Sequence, residues 1–96
     1  METATNYQLI DKEAVAGLHF PEQDVLPSKE AIREREAELH RALTLGNLER
    51  TKIKIYFEDD AGLKVVDTTV WGLTDKRVIL KQGLVIPIHR VHRLKF

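Results

Sequence analysis

The sequence predicts a mainly β member of the α+β class, in which one N-terminal helix packs on a five-stranded, antiparallel and strongly bent small β-barrel. Three observations lead to this prediction. A helical pattern of apolar residues over 28–45 gives way to two-residue alternation from residue 51 onward. Turn-forming stretches then divide the second half into short strands. The chain of 96 residues is long enough for one domain with a small core.

The first 27 residues show no sustained periodicity and are predicted to form an extended or partly disordered segment, followed by a single domain over 28–96. Gly17 would cut short a helical turn begun at Asp11, and the two prolines of FPEQDVLP favour an extended connector. Several apolar side chains of this segment could still dock on the domain: Tyr7, Leu9, Ile10, Phe20 and Leu26.

Residues 28–45 are predicted to form the helix. Ser28 is suited to cap its N-terminus, and Gly46 with Asn47 supplies a stop signal at its C-terminus. The apolar positions form a narrow stripe: Ile32, Leu39, Ala42, Leu43 and Leu45. The stripe is too short for a coiled coil, so we expect it to pack on the sheet, with dimerisation through this face as the alternative.

The β-barrel is predicted over residues 51–96. Its first strand is TKIKIYFE, and a DDAG turn leads to the long run LKVVDTTVWGLT, in which Gly72 suggests a bend. Three further strands are predicted at RVILK, LVIPI and VHRLKF. Pro87 cannot donate to a strand ladder, so it indicates a sheet edge or a strand end.

One helix followed by five short strands resembles the small β-barrels of the SH3-like and Sm-like kind. The resemblance covers residues 28–96, and the ending IPIHRVHRL is similar to the close of many such domains. The layout looks most like that of small uncharacterised bacterial proteins, which implies a bacterial origin but no function. Sm-like RNA chaperones use a Lys-His pair near the fourth strand, where this chain has only Ile88-His89 or His89-Arg90, so the resemblance supplies no binding residue.

Positive charge is concentrated near the end of the chain, although the net charge is zero. Residues 1–50 contain six Lys and Arg side chains against ten Asp and Glu, whereas residues 51–96 contain nine against five. No acidic side chain lies in residues 76–96. Such a division indicates either a polyanion-binding face or two halves that attract each other.

The basic strands are therefore candidates for nucleic-acid binding, in which cations contact phosphates and exposed aromatic rings stack on bases. The candidate residues are Lys76, Arg77, Lys81, Arg90, Arg93 and Lys95, with Tyr56 and Trp71 as the aromatic rings. The competing interpretation is that these charges only protect sheet edges and remain solvated. The large apolar ring of Trp71 is expected in the core, with an anchor at the rim of the barrel as the alternative.

Catalysis and metal binding are not predicted. The sequence has no nucleophile elbow, phosphate-cradling glycine loop or HExxH motif, so neither a catalytic residue nor a cofactor is expected. Cysteine is absent, and His89 and His92 would point to opposite faces of a continuous strand. No apolar stretch suggests a signal peptide or a membrane helix, which predicts a cytoplasmic protein without membrane contact.

Two functions are left open. The first is a non-catalytic module for protein interaction or homo-oligomerisation, acting through exposed barrel edges or the apolar stripe of the helix. The alternative is a module that binds RNA or single-stranded DNA through its basic C-terminal strands. The net charge of zero disfavours nucleic-acid binding, because domains that bind nucleic acid usually have an isoelectric point above about 9.

Overall fold

A computed structural model describes residues 6–96, which form one long helix, seven strands and three short 3₁₀ helices. The helix is α1 (Lys29–Glu49), and the strands are β1 (Gln8–Ile10), β2 (Ile53–Glu58), β3 (Leu63–Thr68), β4 (Val70–Leu73), β5 (Arg77–Leu80), β6 (Val85–Pro87) and β7 (Val91–Lys95). The 3₁₀ helices are Lys12–Gly17, Lys81–Gly83 and Ile88–Arg90. None of the helices in this part of the chain is long and apolar enough to cross a membrane.

The strands form two sheets. One sheet has the order β1-β3-β2-β7, and the other has the order β4-β5-β6. All neighbouring strands are antiparallel except β1 and β3, which are parallel. The α+β class is therefore confirmed, whereas the five-stranded barrel is not supported, because neither sheet formed by residues 6–96 closes on itself.

The long strand predicted over residues 63–74 is divided at Thr69, between β3 and β4. Thr68, Thr69 and Val70 are all buried. Three consecutive buried side chains cannot lie on one face of a regular strand, since strand side chains alternate between faces. The chain therefore passes from the first sheet to the second at this point. The sequence predicted a bend at Gly72, whereas the break between the two strands lies three residues earlier, at Thr69. A register shift between Val70 and Gly72 marks a bulge directly before Gly72.

From residue 6 onward, the N-terminal segment contributes to the fold, while residues 1–5 lie outside the described part. β1 lies alongside β3, with Leu9 opposite Val65. The side chain of Val15 enters the core. Further along, the amide of Val25 donates a 3.0 Å hydrogen bond to the carbonyl oxygen of His89. The segment predicted to be extended thus holds a strand, a core side chain and a direct bond to the C-terminal region.

The helix begins where the sequence predicts, but it ends later. Ser28 Oγ accepts a 3.1 Å hydrogen bond from the amide of Ala31, which caps the first turn. Gly46 does not end the helix, which runs on to Glu49, and Arg50 takes the left-handed conformation instead, with φ 54°. A side chain on Gly46 would overlap the carbonyl oxygen of Val70. This glycine therefore permits close packing of α1 on β4 and is not a stop signal.

The core lies where α1 meets the inward side chains of both sheets. Its most deeply buried members are Leu39, Ile55, Phe57, Val66, Val70, Val78, Leu80, Ile86 and Val91. Two polar side chains of α1 also reach the backbone of β7. Arg35 Nη1 donates to the carbonyl oxygen of Val91 at 3.1 Å, and Glu38 Oε1 accepts from the amide of Leu94 at 3.2 Å. The helix thus supplies partners to the outer edge of this strand, which protects it from pairing with another chain.

Candidate functional site

The predicted nucleic-acid-binding residues do not form one patch. Trp71 and Lys81 line a shallow depression between the end of α1 and the second sheet. Tyr56, Arg93 and Lys95 lie on the outer face of the first sheet. The remaining three are separate from both groups: Lys76 and Arg77 lie at the turn into β5, and Arg90 is buried.

Arg90 belongs to the interior of the domain and not to its surface. Its Nε donates to the carbonyl oxygen of Glu58 at 3.0 Å, and its Nη1 donates to that of Gln23 at 2.7 Å. Its Nη2 also lies 4.0 Å from the Glu58 carboxylate. This arginine therefore ties the N-terminal segment to the end of β2, and it is not available to a partner.

Trp71 is exposed, so the expectation that its ring lies in the core is wrong. About half of the residue, 52%, is accessible, whereas its neighbour Val70 is completely buried. At the bulge between Val70 and Gly72, β4 has one residue more than the paired stretch of β5, and Trp71 is this extra residue. Its ring lines the depression of about 610 Å³ together with Gly46, Asn47, Arg50, Lys52, Thr69 and Lys81.

Every charged side chain that lines this depression is a cation. Arg50 is placed there by the left-handed turn that ends α1, and Lys52 follows two residues later, directly before β2. Lys81 directly follows the end of β5, and its amide donates a 3.0 Å hydrogen bond to the carbonyl oxygen of Thr69. Within residues 6–96, none of the three forms an ion pair with a carboxylate. We call this group, Trp71 with Arg50, Lys52 and Lys81, the Trp71 site.

Sequence reasoning found Trp71 and Lys81, and it counted Lys52, in the predicted strand TKIKIYFE, as part of the positive surface, but it missed Arg50. Arg50 lies near the end of the predicted helix, where GN was interpreted as a stop signal. Its position depends on the extension of α1 to Glu49 and on the contact of Gly46 with β4. Of these features, only the stop signal was visible in the sequence, and the helix continues through it.

A second group of cations lies on the outer face of the first sheet. Lys54 is opposite Lys95, and Tyr56 is opposite Arg93, in the antiparallel pair of β2 and β7. The guanidinium carbon of Arg93 lies 4.8 Å from the centre of the Tyr56 ring, which is the geometry of a cation–π contact. Tyr7 packs edge-on against the same ring, also at 4.8 Å between centres. Burial raises the pKa of the Tyr7 phenol, so this ring stays uncharged near neutral pH.

Lys76 and Arg77 belong to a different surface. The Thr74 hydroxyl accepts hydrogen bonds from both of their amides, at 3.2 and 2.9 Å, and so shapes the turn between β4 and β5. Their side chains line a groove beside α1 that also contains the carboxylates of Glu22, Glu36 and Asp75. Because both signs of charge share this groove, it has no preference for a polyanion.

The two C-terminal histidines bind different parts of the chain. His89 lies in the 3₁₀ helix Ile88–Arg90 and donates through Nε2 to the carbonyl oxygen of Pro21 at 2.9 Å. His92 is the extra residue of a bulge against β2, and its Nε2 donates to Glu58 Oε1 at 2.9 Å. In residues 6–96 as a whole, no three side chains of the metal-binding types come together as a cation site.

No protein-family model, curated protein or solved structure matches the chain. A function therefore has to be inferred from the arrangement of its own residues.

Proposed function

We propose that the protein is a non-catalytic module that binds single-stranded nucleic acid at the Trp71 site. One observation carries the proposal: a half-exposed indole ring lies in a depression whose charged side chains, Arg50, Lys52 and Lys81, are all cations. A nucleotide presents both complementary groups, a flat base for the ring and a phosphate for the cations. A single strand fits better than a duplex, because the bases of a duplex are already stacked on one another.

The alternative role, protein interaction or homo-oligomerisation, has less support from the geometry. The apolar stripe of α1 contributes Leu39 and Ala42 to the core, and Arg35 and Glu38 provide partners for the outer edge of β7. The Trp71 site is also small beside a standard protein interface, which buries about 800 Å² on each partner. Two of the features that predicted self-association, the helix stripe and the sheet edge at β7, are thus used inside the domain.

Binding is expected to be weak and strongly dependent on salt, because the protein has no net charge and relies on a local group of cations. Each phosphate that is neutralised on a single strand contributes about −0.7 to the slope of log K against log salt concentration. A strand that places one phosphate against each of the three cations therefore has a predicted slope of about −2.

Trp71 is the only tryptophan, so its fluorescence reports directly on the site. Titration with oligouridylate and oligothymidylate at low salt should quench this fluorescence, and the quenching should weaken as salt rises. Anisotropy of a labelled oligonucleotide should show that Trp71→Leu lowers the affinity roughly 5- to 150-fold, the usual contribution of one stacked base. Lys81→Gln should also weaken binding.

Lys76→Gln is the matched control, because it removes the same charge at the turn into β5, away from the Trp71 site. Its affinity should equal that of the wild type. Absence of quenching and of anisotropy change at low salt would rule out the proposal. A concentration-dependent increase in mass that Trp71→Leu abolishes would favour self-association through this site instead.

A further inference from the structure

We infer that the bound strand continues from the Trp71 site along the outward side chains of β2 to the stacked pair of Arg93 and Tyr56. The ligand is then an extended oligonucleotide of several residues and not a mononucleotide. This inference rests on the proposed function, since it extends the same site. It is carried by a row of outward side chains, two cations followed by an aromatic ring, that begins with Lys52, a member of the Trp71 site.

The row follows from the alternation of side chains in a strand. Ile53, Ile55 and Phe57 are buried, so the residues between and before them, Lys52, Lys54 and Tyr56, lie on the opposite side of β2. At about 3.4 Å per residue, Lys52 and Tyr56 are separated by about 14 Å along the strand. Lys52 therefore connects the Trp71 site to the outer face of the first sheet.

Strand β7 doubles the row of cations. Its register places Lys95 opposite Lys54 and Arg93 opposite Tyr56. The guanidinium of Arg93 lies over the tyrosine ring and offers its other face to a base, since bases stack on arginine planes as they do on aromatic rings. The surface thus has an aromatic platform at one end, Trp71, and a layered Arg93–Tyr56 platform at the other.

Carboxylates mark the limits of this surface. Asp67 lies opposite Lys54 on the β3 side and is exposed, which restricts the cationic row to β2 and β7. Glu58, at the end of β2, accepts a hydrogen bond from His92 beyond the Arg93–Tyr56 platform. The distance of about 14 Å from Lys52 to Tyr56 equals about four steps of 3.4 Å, so this stretch suits at most about five stacked nucleotides, and fewer if the strand is stretched.

The test compares ligands of increasing length from one series, uridine monophosphate to the oligouridylate hexamer, with Trp71 fluorescence as the readout. Affinity should rise with length up to about five nucleotides and then level off. The double variant Lys54→Gln/Lys95→Gln should bind the mononucleotide like the wild type but lose most of the gain with length. Its salt slope for the hexamer should be shallower by about 1.4, the share of two cations.

The control Lys76→Gln/Arg77→Gln changes the net charge equally at the turn into β5, and it should preserve both the gain with length and the slope. A hexamer that quenches Trp71 but binds no better than the mononucleotide would overturn the extended path and leave the proposed function intact. The same holds if Lys54→Gln/Lys95→Gln binds the hexamer like the wild type. If no ligand of any length quenches Trp71, both proposals are wrong.

Discussion

The guanidinium of Arg90 satisfies the carbonyl oxygens of Glu58 and Gln23 inside the domain. Arg90→Leu would leave both oxygens without this donor, and an unsatisfied buried polar group costs about 1–3 kcal/mol. We therefore expect the free energy of unfolding to fall by about 2–4 kcal/mol. Urea denaturation followed by circular dichroism measures this change.

Arg93→Leu is the control at the residue scale. Arg93 is exposed, and its cation–π contact with Tyr56 is worth about 0.5–1 kcal/mol at such a site. Equal losses of stability in the two variants would contradict the assignment of Arg90 to the interior.

The sequence alone does not distinguish Arg90 from Arg93, because the directions of their side chains are set by the 3₁₀ helix Ile88–Arg90 and the bulge at His92. Both features depend on partners far away in the chain, such as Pro21 and Glu58.

Trp71 also shows that the direction of a side chain cannot be predicted from the residues next to it in the sequence. The size of an indole ring favours burial, and nothing in its own stretch, DTTVWGLT, indicates a bulge against β5 at this position. The side chain is exposed because the backbone beside it is irregular. Residue type therefore indicated candidate binding groups, but not which of them reach solvent.

At the scale of elements, the packing of α1 on β4 depends on Gly46. Alanine is usually better than glycine in a helix by about 1 kcal/mol. At this position, however, the added Cβ would overlap the carbonyl oxygen of Val70, so the helix would have to move away from β4. We expect Gly46→Ala to lower the free energy of unfolding by about 1–3 kcal/mol, as overpacking does. Thermal denaturation is the measurement.

Asn47→Ala supplies the comparison, since Asn47 is the next residue of the same helix and is exposed. It should be neutral or slightly stabilising, by a few tenths of a kcal/mol. A Gly46→Ala variant as stable as Asn47→Ala would show that α1 does not need this close approach. Because Arg50 lies at the end of the same helix, Gly46→Ala should also weaken oligonucleotide binding at the Trp71 site.

Elements whose signals are local were predicted well. The Ser28 cap set the start of α1, and the alternation of TKIKIYFE matches β2 closely. The end of α1 and the break at Thr69 were missed because both depend on contacts between distant elements. A glycine in a helix gives the same signal whether it ends the helix or faces another backbone.

At the scale of the whole molecule, the α+β class was predictable from the sequence. The division of the strands into two open sheets, in place of one closed barrel, was not. Turn-forming residues in the sequence divide the second half into strands, and they do not specify which strands pair. The parallel pair of β1 and β3 joins residues more than fifty positions apart, and it places the N-terminal segment at the edge of the first sheet. No short-range pattern in residues 1–27 indicates this partner.

The attachment of the N-terminal segment also gives the molecule an acid-sensitive contact. The Asp24 carboxylate accepts hydrogen bonds from Arg35 Nη1 at 2.9 Å and Nη2 at 2.8 Å, and Arg35 is almost completely buried. These bonds lower the pKa of Asp24, although partial burial opposes them. Because the pKa is depressed in the folded state, the contact contributes fully above the unfolded pKa of about 3.9. Its contribution is lost as the pH falls through the lower folded value.

Asp24→Asn should therefore reduce the free energy of unfolding by about 1–3 kcal/mol near pH 7, since it leaves a buried arginine without its charged partner. The difference from the wild type should shrink as the pH falls below about 4 and vanish once Asp24 is protonated in both states. Urea denaturation across this pH range measures it. Asp60→Asn, which changes an exposed aspartate in the turn after β2, should stay within about 0.5 kcal/mol of the wild type. A gap between Asp24→Asn and the wild type that stays constant down to about pH 2 would show that the contact stabilises the fold by packing and not by charge.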